Sequence, residues 1–261
     1  MPTSGVAALI CPTGNLELAM TAHTDDHAFS DREKQTAAHA AVKLVRSGQV
    51  VGLGSGSTAT YVVRFLAERI QSEALRIVGI PTSQQTRQLA EQLNIPLTTL
   101  DQTQEIDITL DGADEIDQDL NLIKGGGGAL LREKIIASAS RRLIIVADST
   151  KAVARLGKFP LPVEVITFAQ ALIAERIRAL GAQVSLRRDP AGHPYVTDEG
   201  HHILDCSFGE IPNPPLLAGQ LRAFPGVVEH GLFIGMAEMA LIGKHGQIVE
   251  MRAGGQKLAP R

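Results

Sequence analysis

The sequence is poor in cysteine, in basic residues at its N-terminal end and in long apolar runs. Its only two cysteines, Cys11 and Cys206, stand far apart in 261 residues. They form neither a disulfide framework nor a zinc pattern, so a reducing cytoplasm is the expected setting. No Lys or Arg precedes Arg32, which argues against a transit peptide or a charged signal-peptide start. The apolar stretch Val6–Ile10 is too short to span a bilayer, and no membrane partner is expected. A formal net charge of −3 gives no general attraction for nucleic acid. The segment His23-Thr24-Asp25-Asp26-His27 has metal-ligating residue types but no apolar scaffold to fix a geometry. Residues 1–30 therefore read as a flexible extension.

What is present is a globular composition, 44% apolar and 20% charged, long enough for one substantial core and a smaller lobe. A helix is expected to open at Asp31 and stop at Gly48. Short apolar strands at Val50–Leu53, Arg76–Ile80, Leu97–Leu100, Ile106–Leu110 and Leu143–Val146 then alternate with helical periodicity. That alternation predicts an α/β fold with a parallel, Rossmann-like sheet. After Phe159-Pro160-Leu161-Pro162 the order becomes β-α-β-β-α-β, which suggests a ferredoxin-like α+β lobe. The expected division is an α/β domain over 31–158 and 232–251, a lobe over 159–231 and a tail over 252–261.

The loop Gly52-Leu53-Gly54-Ser55-Gly56-Ser57-Thr58 falls between a strand and a helix, where backbone N–H groups can cradle a phosphate. Ser57 stands where a dinucleotide fingerprint needs its third glycine, and the P-loop lysine is absent. A phosphomonoester is the ligand this loop suggests. Lys34, upstream, reads by spacing alone as a surface lysine.

Asp111-Gly112-Ala113-Asp114 follows the strand Ile106–Leu110 at its carboxyl end, where parallel sheets bind ligands. The Gly-Ala interruption lets the two acids approach without bulk between them. Lys124 then precedes four consecutive glycines, 125–128, a run that chain entropy penalises and that backbone donors around an anion would justify. Glu133, early in the next helix, reads by position as a dipole partner or as an ion pair with Lys134.

Taken together, these segments resemble the type A ribose-5-phosphate isomerase family. The likeness rests on Gly52–Thr58, Asp111–Ile116, Lys124–Ile135, Asp148–Lys151, Leu156–Val165 and Phe224–Phe233, and it spans roughly 31 to 251. It implies an aldose–ketose isomerase interconverting D-ribose 5-phosphate and D-ribulose 5-phosphate in the non-oxidative pentose phosphate pathway, with no metal or organic cofactor. It also implies a homodimer or homotetramer. By the same resemblance, Ser55, Gly56, Ser57 and Thr58 bind substrate, with Lys34 assisting near the phosphate. Gly112, Ala113, Gly125, Gly126 and Gly127 line the sugar with Asp111, Asp114 and Lys124, and Lys151 adds a contact. Glu133 is the implied base, moving a proton between two carbons through an enediolate. Lys124 and the glycine amides would steady the oxyanion, and Asp111 and Asp114 would handle hydroxyl protons. Competing readings are an amino-sugar-phosphate deaminase on the same scaffold and a sugar-phosphate-sensing regulatory domain. The second needs a basic DNA-binding segment that the first thirty residues lack.

Overall fold

A computed structural model describes residues 29–253 and 255–258. The expected N-terminal extension lies outside them except for 29 and 30, which are already helical: helix α1 runs over 29–42 rather than opening at Asp31. Cys11 also falls outside the described residues.

The chain continues with β1 (Val50–Leu53), α2 (Gly56–Ser72), β2 (Val78–Pro81), α3 (Gln84–Gln92) and β3 (Ile108–Asp111). Two short strands, β4 (Glu115–Ile116) and β5 (Leu122–Ile123), precede α4 (Leu130–Ser138) and β6 (Leu143–Asp148). Next come β7 (Leu161–Val165), α5 (Gln170–Ala179), β8 (Gln183–Leu186), β9 (His202–Ser207), α6 (Pro214–Arg222) and β10 (Val227–His230). The chain closes with β11 (Leu232–Phe233), β12 (Met239–Lys244), β13 (Gln247–Arg252) and β14 (Gly255–Leu258).

The main sheet has seven strands in the order β14-β13-β12-β6-β3-β1-β2. From β12 to β2 all neighbours are parallel, as the strand–helix alternation predicts. The β12–β13–β14 edge is an antiparallel meander, and β14 falls where a tail was expected. β6 is buried along its whole length, the mark of a central strand covered on both faces. One core cluster packs α1 and α2 against the sheet, and a second covers the other face around Ile145, Phe233 and Ile242. The expected strand at Leu97–Leu100 reduces to a single bridge between Leu97 and Gly79. Pro81, the last residue of β2, has no N–H to donate to the next carbonyl, so the ladder does not extend toward Leu100.

β7 to β10 form a separate antiparallel sheet in the order β10-β7-β9-β8, the arrangement of a ferredoxin-like lobe. Its own apolar cluster includes Val163, Ile173, Leu204 and Leu221. The short strand expected at Tyr195–Thr197 is one bridge, Val196 to His202, in the β8–β9 connection.

In the main sheet β1 lies between β2 and β3, so the chain winds outward through β2 and then crosses back. The crevice above β1 and β3 is therefore a topological switch point, where open α/β sheets hold ligands. Leu53 and Leu110 are in register, and Gly54 N–H donates to Leu110 O at 3.0 Å. That pairing sets the glycine loop beside the acidic loop.

Candidate active site

A cavity of about 290 Å³ opens at this switch point. Its floor is the first turn of α2, with Gly56, Ser57 and Thr58 exposed to it. The N-cap Ser55 makes no side-chain capping bond and the first turn holds no acid, so the positive end of the helix dipole faces the cavity unneutralised. The Ser55 hydroxyl is committed elsewhere. Thr82 Oγ1 donates to Leu53 O at 3.1 Å, so Ser55 Oγ, 2.6 Å away, donates to Thr82. Ser57 and Thr58 retain their hydroxyls for a ligand. Lys34, on α1, lines the same end, with Nζ 3.2 Å from Asp31 Oδ1.

Asp111, the last residue of β3, does not line the cavity; it is 1% exposed and lies beneath it. Its Oδ1 accepts from the N–H groups of Ser55 at 3.1 Å and Gly112 at 2.8 Å, tying the two loops together. Gly54 makes this approach possible, because a Cβ there would sit 2.2 Å from Asp111 Oδ1 and 2.6 Å from its Cα. The other oxygen, Oδ2, is 3.0 Å from Lys124 Nζ.

Lys124 follows β5, and its ammonium donates to Gly112 O at 2.6 Å. It lies 3.4 Å from Glu133 Oε2 and 5.5 Å from the centre of the Phe233 ring. Neither Asp111 Oδ2 nor Glu133 Oε2 has an aligned hydrogen-bond donor, although both face the ammonium. Burial works to discharge Lys124, but Asp111, Glu133 and Asp114 outweigh it and hold the ammonium's pKa above the ordinary lysine value. Burial pushes the Glu133 carboxyl up to about 8, against the pull of Lys124 and with added repulsion from Asp111 and Asp114.

Glu133 sits in the first turn of α4, as its sequence position suggests, but Lys134 is not its partner. Lys134 turns the other way, to Glu229 Oε1 at 2.8 Å, and stacks on Phe233 from 4.8 Å. Asp114 lines the cavity and accepts from Gly126 N–H at 2.7 Å through Oδ2. Gly112, Ala113, Gly125, Gly126, Gly127 and Lys151 complete the lining expected from the sequence.

Ser30, Asp148 and Thr150 also line the cavity and had no role assigned from sequence. Asp148 ends β6, beside β3, so its strand-end position was the available signal. Ser30 fell on the far side of the expected helix start. Buried Glu33 anchors this wall, accepting from Ser149 N–H at 2.9 Å and His245 N–H at 2.9 Å. Among the described residues no group of three or more His, Cys, Asp or Glu side chains is arranged to hold a metal ion, and no helix is long and apolar enough to cross a membrane.

A helix N-terminus at one end, a buried lysine between two carboxylates at the other and a parallel-sheet crevice around both define an α/β enzyme that works on a small anionic substrate. The family model described as ribose 5-phosphate isomerase A (phosphoriboisomerase A) matches residues 78–247. The chain belongs to that family. It is 55% identical over 217 residues to the ribose-5-phosphate isomerase A of Synechococcus sp. (strain JA-3-3Ab), covering 82% of this chain and 94% of the relative. Among solved structures, ribose 5-phosphate isomerase from Plasmodium falciparum is 40% identical with a TM-score of 0.83, covering 86% of this chain and all of that one. A D-ribose-5-phosphate isomerase in complex with phospho-erythronic acid is 38% identical with a TM-score of 0.84, covering 85% and 99%.

Proposed function

We propose that this chain interconverts D-ribose 5-phosphate and D-ribulose 5-phosphate through an enediolate, with Glu133 moving the proton. The observation that carries this reading is Lys124, buried between Asp111 and Glu133 across the cavity from the open α2 terminus. The phosphate takes the α2 end, with Ser57, Thr58 and Lys34, and its binding energy orients the reacting carbons. Phospho-erythronic acid, the ligand of one solved relative, likewise joins a phosphate to a carboxylate.

At the other end, Glu133 removes the proton from C2 of the open-chain aldose. The electron pair moves toward the carbonyl oxygen on C1, and Lys124 with the glycine amides holds the resulting oxyanion. Glu133 then returns the proton to C1, while Asp114 passes the hydroxyl proton between the two oxygens. A carboxylate raised toward neutral pH is a stronger base than an ordinary glutamate and remains ionisable at working pH. Asp111 serves by holding Lys124 and both loops, since it is buried beneath the cavity and not exposed to it.

The test is a coupled assay with ribose 5-phosphate, run beside the six-carbon analogue and glucosamine 6-phosphate. Turnover of the pentose alone supports the reading. Ammonia release from the amino sugar, with no pentose turnover, would replace it with a deaminase.

A further inference from the structure

The Gly125–Gly128 turn is gripped from the small lobe. Arg187, one residue beyond β8, donates through Nη1 to Gly125 O at 2.8 Å and to Gly126 O at 3.0 Å. Asp205 on β9 holds the guanidinium from behind in a two-pronged pair, with Nε to Oδ2 at 3.0 Å and Nη2 to Oδ1. A fork fixed by a carboxylate on one edge and bonded to backbone on the other has little freedom left.

The consequence for the cavity follows from peptide geometry. In a planar trans peptide the C=O and the N–H point in opposite directions. With the Gly125 carbonyl turned to Arg187, the Gly126 N–H must point away, and it lands on Asp114 Oδ2 at 2.7 Å. With the Gly126 carbonyl also turned to Arg187, the Gly127 N–H faces the same cavity side. That N–H has no protein acceptor among the described residues. The Gly128 N–H closes the turn on Gly125 O at 3.0 Å. Tyr195 seals its back, so close that a Cβ on Gly128 would lie 2.2 Å from the tyrosine hydroxyl. Four glycines in a row resist no rotation of their own, so the orientation of these amides must be imposed from outside.

We propose that Arg187, held by Asp205, is a positioning residue that presets the Gly126 and Gly127 amides: one fixes Asp114, and the other is an oxyanion donor. The inference rests on the isomerase reading for what the amides do, and on the hydrogen bonds alone for what orients them. The small lobe is thereby part of the catalytic apparatus without touching substrate.

The experiment uses Arg187→Lys, which keeps the charge and loses the fork, together with Arg187→Ala and Asp205→Asn. Turnover of ribose 5-phosphate by the unaltered enzyme tests the isomerase reading by itself. In the variants kcat should fall about 10²-fold, the effect of misplacing a reacting group by about 1 Å, while KM changes several-fold less. Ethylguanidinium should restore part of the activity of Arg187→Ala. Amide hydrogen exchange, which needs no substrate, should quicken in the 125–128 segment and stay unchanged in the main-sheet strands. Exchange unaltered in that segment, or kcat within about twofold of the parent in folded Arg187→Lys, overturns the proposal whatever the substrate proves to be.

Discussion

Lys124 Nζ stands 3.4 Å from Glu133 Oε2, and both side chains are almost fully excluded from solvent. A pair so placed has exchanged hydration for mutual attraction, and because Asp111 shares the same ammonium, removing the lysine strands two buried carboxylates. Lys124→Met leaves Asp111 and Glu133 facing each other without a cation. We expect a stability loss of about 3–5 kcal/mol in denaturant unfolding, the usual result of breaking a buried pair. We also expect kcat to fall by about 10²–10³, the typical cost of losing one oxyanion donor. A folded variant with parental kcat would remove Lys124 from the chemistry.

Glu133→Gln keeps the volume and removes the base. The amide is isosteric, and Lys124 keeps Asp111 Oδ2 at 3.0 Å as its counterion, so the fold should persist. Solvent exchange of the substrate C2 proton should drop by about 10²–10⁴, the range for a positioned general base, with KM little altered. Exchange at the parental rate would assign the proton transfer to another group.

The pH profile carries its own sign. A base acts in its deprotonated form, and kcat/KM reports the free enzyme. With the Glu133 carboxyl raised to about 8, kcat/KM should climb through neutral pH and level off above that point. An ordinary glutamate would give a flat profile over the same interval. Lys124 adds no alkaline limb there, because its neighbours hold its proton. Glu133→Asp, with the carboxylate drawn back along a shorter side chain, should displace the limb. A limb that does not move belongs to a different group, such as Lys134, which burial brings down to about 8.

How much of this was legible beforehand differs by element. The strand–helix alternation gives the parallel sheet because buried strands are apolar along their length, as Leu143–Val146 is. Lys124 stands between Asp111 and Glu133, with Asp114 in the cavity lining, and local chemistry singles out the glycine loops that place them. The separation of Asp111 from Asp114 was not legible. It depends on Gly54 admitting Asp111 beneath the glycine loop, a contact between segments 57 positions apart that no local pattern encodes. Arg187 was hidden for the same reason, as its partners are carbonyls of a distant turn. The β14 edge was missed because a short polar segment after Gly254-Gly255 has no strand periodicity to read.

The phosphate end offers a test in which binding and stability move in opposite directions. Ser57 lies in the first turn of α2, which carries no acid. In Ser57→Asp a carboxylate would complement the helix dipole, so thermal stability should hold or rise by about 0.3–1 kcal/mol. The same charge would stand where the substrate phosphate docks. KM for ribose 5-phosphate should then rise about tenfold or more, equivalent to at least ~1.4 kcal/mol of lost binding, with kcat less affected. Inorganic phosphate should inhibit the parent competitively and the variant far more weakly. An unchanged KM in Ser57→Asp would move the phosphate away from the α2 terminus, because a screened surface repulsion cannot hide a carboxylate in direct contact with a dianion.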